Sequence, residues 1–150
     1  MQQARTIYFY KDVAIPAGES NIALTFDSKS AASSWNVYVA PTSVGVVGAD
    51  AQTNSSFNPY SLAGATTIVT GSISATTGSN IGFIPAAMAG TTVRLIFMWT
   101  NNTGGTNPPV AIDNIKLVSR AGGAYFQSIA SGNYTDPATW DLGYVPSFSD

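Results

Sequence analysis

The sequence predicts an all-β fold, an antiparallel jelly-roll β-sandwich that ends in a short strand-and-turn tail. Short runs rich in Ile, Val, Tyr, Phe and Thr recur along the chain, separated by clusters of Gly, Pro, Asn and Ser. Within several of these runs apolar and polar residues alternate, the period-two pattern of a half-buried strand. No stretch carries the 3.6-residue apolar repeat of an amphipathic helix. At 150 residues the chain is long enough for one domain with a sizeable core.

The first expected strand covers residues 5–13, with Ile7, Tyr8, Phe9 and Tyr10. A turn follows at Ile15-Pro16-Ala17-Gly18-Glu19, where Pro16 pre-sets φ and Gly18 accepts a positive φ. Residues 21–27 alternate so that Ile22, Leu24 and Phe26 share one face, and residues 35–39 do the same with Trp35, Val37 and Val39. Pro41 ends that strand, and the Gly/Ser/Asn/Ala-rich stretch 42–64 reads as a long loop or short edge strand. Loops longer than about 12 residues are uncommon in compact domains and are often functional. Further strands are expected at 66–74, 81–85, 91–99 and 110–118, with one helical turn over 86–90 closed by Gly90. The segment 100–109 holds only turn residues. Ala121-Gly122-Gly123 reads as a linker, which places a module boundary near residue 121. Residues 125–130 then read as a strand and 131–140 as a compact turn-rich element. A tail of about 30 residues is too short to fold alone without disulfides or metal. It is expected to pack on the first module, lie against a partner, or open a second module.

Composition narrows the chemistry. The chain has no histidine and no cysteine, so it has no Ser-His-Asp or Cys-His pair, no disulfide, and no zinc or iron–sulfur site of the usual ligands. Charged residues make up 9% against about 25% in a typical domain. The six basic residues are scattered and the net charge is -2, which argues against a nucleic-acid partner. The longest apolar run, 93–99, is broken by Arg94 and is far short of a membrane-spanning helix, so no membrane insertion is expected. The start, Met1-Gln2-Gln3-Ala4-Arg5-Thr6, carries neither the basic nor the apolar region of a secretory signal. Low charge with abundant Ser, Thr, Asn and Gly suits a mature or excised piece of a secreted or surface-exposed bacterial protein.

Four short motifs carry a resemblance. Lys11-Asp12-Val13-Ala14-Ile15-Pro16-Ala17-Gly18, Leu24-Thr25-Phe26-Asp27, Ala89-Gly90-Thr91-Thr92-Val93-Arg94-Leu95 and Ala111-Ile112-Asp113-Asn114-Ile115 resemble jelly-roll modules of large secreted Bacteroidetes proteins. Those modules look like MAM or carbohydrate-binding-module sandwiches, and the resemblance covers roughly residues 5–120. The run Ala130-Ser131-Gly132-Asn133-Tyr134-Thr135-Asp136-Pro137-Ala138-Thr139-Trp140 is similar to a motif that opens another module in such proteins. The resemblance implies an exported multi-domain surface protein whose modules bind glycans or act as spacers. Many of its members carry an acidic residue just ahead of the third strand, where this chain has Ser33-Ser34-Trp35-Asn36.

Candidate sites follow from costs of burial and from ligand chemistry. Asp113-Asn114 interrupts an apolar strand, and a carboxylate there needs a partner. Asp27 and Asp113 with nearby carbonyls are candidate calcium ligands, since calcium takes six to eight oxygens. The competing reading has Asp113 bonding backbone amides. For glycans, an aromatic face packs on a sugar ring while amides and carboxylates bond its hydroxyls. Tyr60 in the long loop and Trp140 in the tail are the candidate platforms, with Asn101 and Asn102 as polar partners, while Trp35 and Trp99 are expected in the core. The eight acids form no pair that calls for glycosidase chemistry, so no enzyme is expected. The leading expectation is therefore a non-catalytic adhesion module that binds glycans or cell-surface ligands. The alternative is a structural subunit that self-associates through residues 121–150, adding its tail strand to a neighbour's sheet edge and building a fibre or sheath.

Overall fold

A computed structural model describes residues 5–30, 34–46, 49–50, 62–71, 76–101, 110–121, 127–141 and 143–146. The strands are β1 (Arg5–Ala14), β2 (Glu19–Ser30), β3 (Ser34–Pro41), β4 (Ala49–Asp50), β5 (Thr66–Gly71), β6 (Thr76–Ile84), β7 (Thr92–Asn101) and β8 (Ala111–Ala121). They form a five-stranded sheet in the order β4-β1-β7-β3-β5 and a three-stranded sheet in the order β6-β2-β8. Every strand pairing is antiparallel. Among the described residues the only helical turns are two short 3-10 turns, Ala86–Met88 and Pro137–Thr139.

Period-two alternation builds the core as expected. Ile22, Leu24 and Phe26 of β2 point toward the larger sheet and meet Trp35, Val37 and Val39 of β3 and Val93, Leu95 and Phe97 of β7. Phe26 sits at the centre, its ring edge-on to Trp35 at 5.7 Å and to Phe97 at 5.5 Å. Such aromatic pairs add about 0.5–1.5 kcal/mol beyond the burial of area. Two glycines make room in the core, Gly71 for its cross-strand partner Trp35 within the larger sheet and Gly82 where β6 meets β5 of the other sheet. A Cβ on Gly71 would lie 1.8 Å from the Trp35 ring, and one on Gly82 would lie 2.6 Å from Val69.

The larger sheet is buried on its other face too, which alternation in β3 alone does not announce. Tyr38, Ala40, Ile96 and Met98 form a second apolar cluster, covered by Val44, Val46, Leu62 and Ala65 from the stretch after β3. Arg94 ties that stretch down. Its guanidinium bonds both carboxylate oxygens of Asp12 at 2.7 and 2.9 Å, donates to the Val44 carbonyl at 2.9 Å, and lies over the Tyr10 ring at 4.2 Å.

β6 starts at Thr76, earlier than the turn-rich composition of 76–80 suggests. Pairing with the end of β2 overrides that composition, and the inward Asn80 amide is satisfied by the Ser28 hydroxyl at 2.9 Å and the Gly78 carbonyl at 3.1 Å. β2 itself runs on to Ser30, past the expected end at Asp27.

The tail folds back on the smaller sheet. Ser128 and Trp140 form an antiparallel bridge, flanked by bonds from Ile129 N–H to the Thr139 carbonyl and from Asp141 N–H to the Gln127 carbonyl. Asp136 caps the Pro137–Thr139 turn by accepting from Ala138 N–H at 2.9 Å. Arg120 at the end of β8 is ion-paired with Asp141. Tyr144 is buried against Ala23 and Val118, and its hydroxyl donates to the Asn21 side chain at 2.8 Å. The expected strand at 125–130 is thus reduced to one bridge within the described residues.

Three outcomes are expected. Gly71→Ala should lower unfolding stability by about 1–3 kcal/mol through overpacking against Trp35. Gly78→Ala, which meets open space, should change it by less than about 0.5 kcal/mol, both read from urea midpoints. Tyr144→Ala should release the tail alone: the Ile129 and Asp141 amides lose hydrogen-exchange protection while strand amides of β2 and β7 keep theirs.

Candidate functional site

The groove begins with the residues of β2 that alternate away from the core. Ala23, Thr25 and Asp27 project from the outer face of the smaller sheet, and the registers set a cross-strand row beside each. Phe83, Ala23 and Val118 form the first row, Ile81, Thr25 and Lys116 the second, and Ser79, Asp27 and Asp113 the third. The face therefore grades from apolar to polar over four residues of β2, about 13 Å at a rise of about 3.3 Å per residue. Tyr144 covers part of the apolar end, its ring edge-on to Phe83 at 5.4 Å. Between the sheet face and tail residues Pro137, Gly143, Tyr144 and Val145 lies a groove of about 520 Å³. Phe83 remains 46% exposed in it, and Ile81 is exposed beside it.

A bulge shapes the polar end. Thr25 pairs with Lys116 but Asp27 pairs with Asp113, so β8 carries one residue more than β2 across this step. Asn114 takes up the excess at φ 53°, a left-handed conformation that Asn tolerates better than most residues. That conformation aims its side chain back across the sheet. Asn114 Nδ2 donates to Asp27 Oδ2 at 2.7 Å, Ser79 Oγ donates to Asp27 Oδ1 at 2.6 Å, and Asn114 N–H donates to Asp113 Oδ1 at 2.8 Å. Two carboxylates directly opposite each other repel; here one asparagine bonds both. The Asn114 amide, and after it the Ser79 hydroxyl, hold the Asp27 carboxyl below the usual carboxylate range. Asp27 is thus an ionised acceptor with a fixed orientation.

The structure brings the two expected calcium ligands, Asp27 and Asp113, together as cross-strand partners. Hydrogen bonds from protein donors engage three of their four carboxylate oxygens. Among the described residues no group of three or more acidic side chains gathers there or elsewhere. The bond from Asn114 N–H matches the competing reading of Asp113 as a backbone-amide acceptor.

The expected glycan contacts are placed apart from this groove or beyond view. Trp140 lies half-buried in the tail, where its indole N–H donates to the Tyr134 carbonyl at 2.9 Å and its ring meets Tyr134 edge-on at 5.3 Å. Asn101 ends β7, and Tyr60 and Asn102 lie outside the described residues. Sequence reasoning missed Phe83, Ile81, Ser79 and Tyr144. One signal was present: residues 81–84 include apolar side chains at both odd and even positions, although alternation needs only one face to be apolar.

Asn114→Gly keeps the left-handed backbone but removes the amide. The Asp27 pKa should then rise toward the ordinary carboxylate value, read by carboxyl-carbon NMR titration. Because the folded pKa is depressed, the stability this group contributes is present above the unfolded value and lost as pH falls through the folded one. The variant should therefore show a shallower loss of stability in that acidic window. No family model, curated protein or solved structure matches this chain.

Proposed function

We propose that the chain is a non-catalytic, jelly-roll binding module of a secreted or surface-exposed bacterial protein, and that it binds glycans in the groove between the smaller sheet and the tail. The observation that carries the reading is the pairing, within one groove, of an exposed Phe83 ring with the pinned Asp27 carboxylate. A sugar presents the same two chemistries, an apolar C–H face and a rim of hydroxyl donors. Burying the C–H face on Phe83 and Ile81 supplies affinity, while the carboxylate, the Ser79 hydroxyl and the Thr25 hydroxyl orient the rim. The order of the motifs quoted above, which resemble those of exported Bacteroidetes modules, supports the same reading. The tail's own contacts weigh against it as a free donor strand, since Gln127, Ile129 and Asp141 are already bonded within the chain and Arg120 holds Asp141.

The test is a panel of oligosaccharides titrated calorimetrically against the whole chain. At least one should bind, and Phe83→Ala should weaken it about tenfold, equivalent to about 1.4 kcal/mol. Failure of every glycan to bind, or unchanged binding in Phe83→Ala, overturns the assignment.

A further inference from the structure

The groove's polar end restricts what kind of sugar it can hold, given the reading of the groove as a glycan site. Each carboxylate oxygen has two lone pairs. Asp27 Oδ1 spends one on the Ser79 hydroxyl and Oδ2 spends one on the Asn114 amide, which leaves one acceptor position on each oxygen. The two donors also fix the plane of the carboxylate, so the free positions are set before a ligand arrives. Preorganised, charge-assisted acceptors of this kind are roughly twice as strong as neutral ones.

We infer that the groove selects a neutral oligosaccharide with an unsubstituted vicinal diol, whose two adjacent hydroxyls each donate to one oxygen of Asp27. Adjacent gauche hydroxyls on one ring match the spacing of the two oxygens of a carboxylate. An acetamido, sulfate or second glycosidic bond on either carbon removes one of the two hydroxyl donors. A uronate or sulfate adds negative charge beside Asp27 and its cross-strand neighbour Asp113. Thr25 and Ile81 lie one row from Asp27, about 7 Å along the strand. Phe83 lies two rows away, at about 13 Å. The diol-bearing ring therefore rests over Thr25 and Ile81, and a second sugar reaches Phe83. A monosaccharide fills only half of the site.

The experiment titrates the full chain with 1,4-linked tetraoses of glucose, mannose, galactose and xylose, all of which keep a free 2,3-diol. Beside them run a galacturonic acid tetraose and an N-acetylglucosamine tetraose methylated at its terminal 4-hydroxyl, which removes its one vicinal diol. At least one neutral tetraose should bind, at least tenfold more tightly than either of the last two and than its own monosaccharide. Asp27→Asn should weaken it at least tenfold, Asp113→Asn less than threefold, and a chelator should leave it unchanged. Equal binding of the acetamido tetraose overturns the diol requirement, and equal binding of the uronate tetraose overturns the selection for a neutral sugar. Both comparisons use the native chain, so they stand even if Asp27→Asn misfolds. Binding that Asp27→Asn leaves intact overturns it as well. Binding lost with chelator and restored by calcium overturns it in favour of a metal-mediated contact at Asp27 and Asp113. In each of these cases weakening by Phe83→Ala keeps the glycan site itself, whereas no glycan bound at all removes the site and the inference together.

Discussion

Strand β2 is hydrogen-bonded along both edges, to β6 and to β8, and among the described residues it is the middle of a three-stranded sheet. Its register therefore governs both surfaces of that sheet. Even-numbered residues Ile22, Leu24 and Phe26 close the core, and on the other face Thr25 and Asp27 line the groove while Ala23 is covered by Tyr144 at its end. A slip of one residue would exchange the two sets and put Asp27 opposite the aromatic cluster of Trp35 and Phe97. The cost of burying that carboxylate, together with the loss of Phe26 from the centre, holds the register in place. Core and groove thus rest on one constraint.

Of the two register shifts in the β2–β8 pairing, the one between Thr25 and Asp27 on β2 falls in the groove; the other, at Glu19/Asn21, lies at the start of β2. One extra residue in β8 turns Asn114 into a left-handed bulge and converts two opposed carboxylates into a bonded triad with Asn114 between them. Bulges of this kind re-aim side chains without breaking a sheet. The tail supplies the facing wall by a different means. It has its own small set of bonds, but it is docked by Tyr144 on Ala23 and by the Arg120–Asp141 ion pair. A segment that reads as a separate element along the chain thereby becomes part of the surface of the first.

The larger sheet carries a different load. β3 and β7 lie inside it and are buried on both faces, with Trp35, Val37 and Val39 on one side of β3 and Tyr38 and Ala40 on the other. Such two-sided burial asks for cover on the far face, and the stretch after β3 provides it through Val44, Val46, Leu62 and Ala65. Arg94 joins β1, β7 and that stretch with one guanidinium, which bonds Asp12 and the Val44 carbonyl.

Local pattern was enough for the central parts of β1, β2, β3, β7 and β8 and for which face of β2 and β3 turns inward, because alternation is a property of neighbours in the chain. Ile22, Leu24, Phe26, Trp35, Val37 and Val39 were legible for that reason. Absence of histidine and cysteine likewise excluded whole classes of chemistry without any coordinates. The pairing of strands was not legible, and the groove depends on it. Ser79 and Asp27 are 52 residues apart, and Asn114 is 87 residues from Asp27, so their meeting follows from cross-strand register alone. The early start of β6 was hidden for the same reason, since Gly78, Ser79 and Asn80 read as a turn until β2 lies beside them. Trp140 attracts attention as a large aromatic in a polar segment, yet the turn of the tail engages its indole with Tyr134, six residues back, and cross-strand pairing leaves Phe83 as an exposed ring in the groove. Composition and alternation are sums over nearby residues, whereas a binding surface is a set of distant residues that only the paired sheet brings within reach.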